Sequence, residues 1–237
     1  MLALSIMAPF AVCRSFTAGW YRPTATFLTP SAAYGLLLNL AGIETRLREE
    51  DEAHPGGAPA TLTRPGLPSV KIAIGKPADA EYPRVATMFQ QLHNYPVGAG
   101  GSERAATTFG NKYNISPVRR ELLVDLQAVI VLDDNGELES AVRLGLSGQA
   151  TPGRYGLPFV GDNSFLPDRI EPMDVVPPAC WFERVTATAE ELRPRTTRLT
   201  VWIDRADMSK TRSDLYAPVE KPMSEIPPDA WTEIKPP

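Results

Sequence analysis

Along most of the chain, apolar residues fall into short runs rather than long helical stripes. Leu2 to Phe16 predicts a first strand with a bend at Pro9. Trp20 to Ile43, WYRPTATFLTPSAAYGLLLNLAGI, runs from an aromatic and basic approach through a Thr-Pro-Ser corner into an apolar helix. Thr29 suits the cap and Pro30 the first helical position, and the helix is expected to end between Thr45 and Glu50. Val70 to Ile74 alternates as a strand. Arg84 to Asn94 alternates too and is read as an extended ribbon, although a short helix fits its pattern. Leu122 to Leu132, LLVDLQAVIVL, is the clearest central strand, stopped by Asp134-Asn135-Gly136, and Glu137 to Leu146 predicts a short helix. Trp181 to Val185 and Leu199 to Ile203 supply late strands. From Pro218 the chain is too rich in proline for regular structure to be expected.

This order predicts an α+β fold, a ferredoxin-like or RRM-like sheet with helices on one face. The Gly-rich excursion between Tyr95 and Leu123 would project from it as a hairpin. The expected division is an RRM-like domain over residues 1–172, with an excursion at about 82–124, and a C-terminal part over 173–237, strand-containing and Pro-rich, packed on the same domain.

The chain has 237 residues, 43% of them hydrophobic, enough for a buried core. Its 24 prolines are roughly twice the usual share and imply long, stiff loops. A net charge of −4 argues against nucleic-acid binding by bulk charge and leaves room for a local basic face. Cys13 and Cys180 are too few for a zinc site and favour a reduced, cytoplasmic setting. The apolar start lacks a preceding Lys or Arg, and no apolar run is long enough to span a bilayer, so no membrane association is expected.

Few catalytic chemistries fit. With only His54 and His93, and no nucleophile elbow, Ser-His-Asp and Cys-His hydrolases are disfavoured. Nucleotide-binding glycine motifs and HExxH are absent, and neither a metal nor a cofactor is expected. His93, with Lys112 and Tyr113, would suit a metal-independent ribonuclease if the fold brought them together. Single-strand RNA binding fits better. It needs cations for phosphates and flat side chains for unstacked bases, and Arg14, Trp20, Tyr21, Arg22, Arg104, Lys112, Tyr113, Arg119 and Arg120 supply both. Composition alone favours the competing view, in which Trp20 and Tyr21 are ordinary core aromatics and the arginines a solvated face. A further basic cluster, Arg193 to Arg212, reads as a solvated strand edge or a protein-contact surface.

The apolar first strand, an Arg and a short link before FLTPSAAYGLLLNLAGIE, then QQLHNY, the Gly-rich excursion, SPVRRELLVDLQAVIVL and RYGLPFVGDNSFLP occur in an order that resembles the fifth CRISPR-associated protein family, in the RAMP superfamily, and its DevS-like branch in particular. The resemblance spans roughly residues 1–172. It implies a non-catalytic subunit of a type I Cascade effector complex that grips the 5′ handle of the crRNA and contacts the backbone and large subunits, meeting target DNA through the assembled complex. By position, Arg14, Trp20, Tyr21, Arg22 and Tyr34 would lie near the handle, and Arg104, Lys112, Asn114, Arg119 and Arg120 on the thumb hairpin or its base. The Trp20 to Ile43 stretch and the 98–124 excursion would then form opposite walls. One branch of the family cuts precursor crRNA with Tyr, Lys and His; this sequence has no matching Lys-His pair, and ribonuclease activity is the alternative reading.

Overall fold

One strand, β5 (Tyr113–Asp133), holds the sheet together. The computed structural model describes residues 1–14, 21–48, 50–51, 62–96, 113–133, 136–150, 156–186 and 193–236, the side chains of 91–96 and 113–117 excepted. Along one edge of β5 runs β1 (Leu2–Ala11), antiparallel from Leu2↔Leu132 to Ala11↔Leu123. Beyond it on the same edge, β2 (Tyr21–Arg22) pairs parallel with Arg119 and Arg120. The other edge is shared in sequence by β3 (Val70–Pro77), at Asp133 to Val129, and β4 (Arg84–Pro96), at Val124 to Tyr113. Between the two partners Asp125 adopts φ 59°. Asp tolerates this left-handed conformation better than a branched residue would.

The remaining strands extend the sheet outward. They are β6 (Arg169–Met173) on β1, and β7 (Ala179–Arg184) and β10 (Thr232–Ile234) on β3. Outside β7 lie β9 (Arg212–Pro218) and then β8 (Thr197–Trp202), giving the order β6-β1-β5-β3-β7-β9-β8.

Two α-helices lie among the described residues, α1 (Pro30–Leu40) and α2 (Glu137–Leu146). As the corner sequence predicts, the Thr29 hydroxyl accepts from the Ala32 N–H at 3.2 Å, and Pro30 opens α1. The helix stops earlier than expected: Gly42 turns left-handed at φ 75°, and the Gly42 and Ile43 amides close onto Asn39 and Leu38. Glycine after the last apolar turn is a recurrent helix stop. At α2, Gly145 meets the end of α1 so closely that a Cβ there would sit 1.7 Å from the Leu40 carbonyl oxygen.

Both faces of the sheet are buried around the centre of β5. On one face Leu4, Ile6, Ile74, Ile130 and Leu132 pack against Leu36, Leu37 and Leu40 of α1. On the other Ala3, Ala73, Val129 and Val131 pack with Trp181 and Ala230. This explains the unbroken apolar run of LLVDLQAVIVL, since a strand covered on both sides has no solvent face to keep polar. Gly75 leaves room for Trp181, whose ring would be 2.7 Å from a Cβ at that position. The Pro-rich C-terminal stretch thus differs from expectation. Met223 bridges Ala179, residues 228–230 form a short 3-10 turn, and β10 joins β3. Proline-rich chain can line a sheet face because its apolar side chains pack without needing a continuous ladder. Strands β6 and β9 also lie where no strand was expected. Each hydrogen-bonds an existing strand, so tertiary pairing overrides weak local propensity.

Candidate nucleic-acid interface

The register brings two sequence-predicted residues, Tyr21 and Arg119, and an unexpected one, Phe89, into one row at the root of the β4–β5 ribbon. Phe89 stands opposite Arg119, and Tyr21 opposite Arg119 on the far side, so one row of side chains crosses β4, β5 and β2. Phe89 is 72% exposed and Tyr21 48%. The Arg119 guanidinium lies 5.2 Å from the Phe89 ring centroid, a cation-aromatic contact that presents a flat, positive surface to solvent. Tyr21 is steadied by Glu121, which accepts its hydroxyl hydrogen bond and also takes the Thr24 amide at 3.0 Å. That hydrogen bond to Glu121, followed by desolvation and the Glu121 charge, raises the Tyr21 pKa above its ordinary value and keeps the phenol protonated.

Arg120 has a different environment. Alternation along a strand turns adjacent residues to opposite faces, and Arg120 is only 3% exposed. It donates to Asp162 and, at 2.8 Å, to Gln90, and lies 5.8 Å from the Phe165 ring centroid. Asp162 also receives Arg14 at 2.6 Å and the Ser164 amide at 2.9 Å. Burial opposes ionisation of Asp162, but the Ser164 hydrogen bonds and then Arg120 outweigh it, holding its pKa down at about 2. The loop carrying Asp162 is pressed onto the end of β1: Gly161 has φ 76°, and a Cβ there would lie 2.2 Å from the Val12 carbonyl oxygen. Asp162 therefore ties β1, β5 and this loop together.

The structure brings Arg14, Tyr21, Arg22, Arg119 and Arg120 to the junction of β1, β2 and β5, with Arg22 half-buried opposite Arg120. The two stretches expected as opposite walls are neighbouring strands there. Tyr34 is not on this surface. It is buried in the core, its hydroxyl donating to the Pro68 carbonyl at 2.8 Å, and burial raises its pKa. Trp20, Arg104 and Lys112 lie outside the described residues. Asn114 and His93 are placed on β5 and β4 by backbone alone, with His93 opposite Ile115. Sequence reading missed Phe89, Glu121 and Asp162. Asp162-Asn163-Ser164 did carry a local signal, an Asp accepting from the amide two residues on, but its arginine partners are distant in sequence.

The late basic cluster is divided rather than continuous. Arg193 pairs with Glu183 at 2.5 Å, Arg195 stacks on Tyr82 at 4.0 Å, and Arg212 donates to the Glu233 carbonyl at 2.8 Å. Arg205 instead lines a cavity beside Arg14. Among the described residues no group of three or more His, Cys, Asp or Glu is placed to hold a metal ion, and no helix is long and apolar enough to cross a membrane. Both cysteines are buried free thiols, and burial pushes Cys13 up to about 11.

No family model matches the chain, and no curated protein matches it. Solved structures do. A chain of a CRISPR RNA-guided surveillance complex superposes with a TM-score of 0.53 at 12% identity, covering 93% of this chain and 90% of that one. A second solved structure, a Cas protein, gives a TM-score of 0.41 at 14% identity, with 94% of each chain covered. The mostly antiparallel α+β chain thus shares its fold with a chain of a CRISPR RNA-guided surveillance complex, in keeping with its resemblance to the fifth CRISPR-associated protein family.

Proposed function

We propose that this chain is a non-catalytic subunit of a type I CRISPR RNA-guided effector complex. It binds the 5′ handle of the crRNA through the root of the β4–β5 ribbon, which serves as the thumb of an RRM-like domain over residues 1–172. Residues 173–237 pack on that domain, and the chain contacts the backbone and large subunits. The observation that carries this reading is the exposed row Phe89, Arg119 and Tyr21. An exposed phenyl ring beside a guanidinium and a phenol offers stacking for unstacked bases, at about 1 to 3 kcal/mol per base, together with a cation for phosphate. Arg14 and Arg120 support the row from behind through Asp162.

The test is copurification of the tagged chain with its partners from its native host, followed by sequencing of bound RNA and ultraviolet crosslinking. Crosslinks from the repeat-derived end of a guide RNA to Tyr21 or Phe89 are expected. In the same complex Arg119→Glu should weaken handle binding about tenfold and lower the salt slope by about one, since one phosphate contact is lost. Guide RNA retained equally by the variant, or RNA crosslinked only to other subunits, would reject the assignment. Metal-independent cleavage of repeat RNA, lost on His93→Ala, would replace it with the ribonuclease reading.

A further inference from the structure

Beside the β4–β5 ribbon the outline of the sheet has a notch. β3 and β4 share one edge of β5, and β7 lies outside β3, pairing with it at Gly75 to Pro77, but among the described residues no strand lies outside β4. Among those residues, too, the outer edge of β4 from Arg84 to Gln90 makes no backbone hydrogen bond. We propose that this edge accepts an extended segment of a partner protein, which joins the sheet as one more β-strand in line with β7.

The edge itself defines the class of occupant. A strand edge presents N–H and C=O groups at every second residue, and another extended backbone carries matching groups at the same spacing. Folded proteins ordinarily guard such an edge with proline, with charge or with a covering element. At the far end of the sheet β6 shows two of these devices, Pro172 and the exposed ion pair of Arg169 with Glu171. The stretch from Arg84 to Gln90, RVATMFQ, has neither proline nor lysine, and its one charged residue, Arg84, is engaged by Asp125 at 2.8 Å.

Side chains narrow the class further. Alternation sets Val85, Thr87 and Phe89 on one face of β4, and all three are exposed, Val85 by 47%. An added strand lays its own alternate residues beside them. Apolar residues spaced as Val85 and Phe89 are, with a polar one between, would cover surface that this chain leaves in water. A second copy fits the notch poorly. Two such edges paired antiparallel around Thr87 would carry each copy's residues 91–96 toward Pro178 of the other, where the Pro178 carbonyl accepts from the Ala78 amide and closes the Arg84 end. The occupant is therefore a short strand of a different chain. Strand addition extends the sheet sideways and leaves the exposed faces of Phe89, Arg119 and Tyr21 open, so the inference does not rest on RNA binding.

The experiment titrates the full chain, without RNA, with a fluorescein-labelled, end-capped peptide, Glu-Val-Thr-Val-Thr-Val-Glu, followed by anisotropy. The peptide reads the same in both directions and so suits parallel or antiparallel addition. Binding is expected at about 10 μM to 1 mM, in keeping with an interface below the standard size. The same peptide with every amide N-methylated cannot donate to the edge and should not bind. Val85→Lys puts a charge on the edge and should weaken binding about tenfold or more. Leu144→Lys, at an exposed position on α2, should bind as wild type does. Amide hydrogen exchange over residues 84–90 should slow when the peptide binds. Both substituted side chains are exposed, so thermal unfolding should match wild type; if Val85→Lys melts lower, the N-methylated peptide and the exchange measurement decide. A wild type that does not bind at about 1 mM overturns the proposal. Equal binding of the N-methylated peptide does so too, as does unchanged exchange at 84–90. Exchange that is already slow there in the free chain and quickens on dilution assigns the edge to a second copy and likewise overturns it. None of these results bears on RNA crosslinking to Tyr21 or Phe89, so the two readings fail separately.

Discussion

Replacing Asp162 with asparagine keeps the shape of the side chain and removes its charge. Asp162 and Arg120 each expose about 4% of their side chains, so the variant strands a buried guanidinium with Gln90 as its remaining strong acceptor. Breaking a buried ion pair by removing one partner costs about 3 to 5 kcal/mol. The pKa gives a separate measure: a fall from 3.8 to about 2 is just under two units, or about 2 kcal/mol at 1.36 kcal/mol per unit. The second figure counts only ionisation of Asp162, whereas the first includes stranding Arg120, so a loss of about 2 to 4 kcal/mol at pH 7 is expected. Because the folded pKa is depressed, this stabilisation is complete above the unfolded value of 3.8 and disappears as pH falls through about 2. By pH 3 about half of the ionisation contribution should be gone. Urea unfolding of the full chain and of Asp162→Asn at steps from pH 7 to pH 3 measures the difference directly. A difference under about 0.5 kcal/mol at pH 7, or one that stays constant down to pH 3, would refute the view that Asp162 is the charged tie between β1, β5 and the loop.

Two further substitutions probe the core beneath the surface. Gly145→Ala places a Cβ 1.7 Å from the Leu40 carbonyl oxygen, which is backbone and has little freedom to yield; α1 and α2 must separate, with a loss of about 1 to 3 kcal/mol visible as a lowered melting temperature. Tyr34→Phe removes the hydrogen bond to the Pro68 carbonyl, and should cost about 1 kcal/mol in urea unfolding while leaving RNA affinity unchanged. Weaker RNA binding by Tyr34→Phe at unchanged stability would return Tyr34 to the interface.

Much of the framework was legible because local chemistry and tertiary demand agree. Thr29 and Pro30 start α1, Glu137 to Leu146 forms α2, and the apolar run at Leu122 to Leu132 lies in the centre of the sheet. The Gly42 stop was visible in the sequence too, but the polar and apolar residues after it continued the helical pattern well enough to obscure it. The full length of β5 was not readable. Its first half is polar and glycine-flanked, and becomes a strand because β4 pairs with it over Arg84↔Val124 to Pro96↔Tyr113. The Pro-rich C-terminal stretch has little intrinsic preference for structure, and its placement on the second face of the sheet is fixed by Trp181, Ala230 and β10.

For the candidate site the same division is sharper. The sequence by itself determined which residue types were available, basic and aromatic in the segments around Tyr21 and Arg119, in an order along the chain that resembles the fifth CRISPR-associated protein family. It also determined the Thr-Pro-Ser corner, since caps and helix starts depend on a few neighbouring residues. Tertiary structure decided the roles. Arg119 and Arg120 are identical in type and adjacent, yet pairing with β2 and β4 leaves one exposed beside Phe89 and buries the other against Asp162. Arg205, one of a run of late basic residues, was singled out only because β8 ends where Ile203 and Arg205 reach the Arg14 cavity. Local sequence specifies backbone preference over a few residues, but burial and charge neutralisation depend on partners brought from far along the chain, and those set the chemistry of this surface.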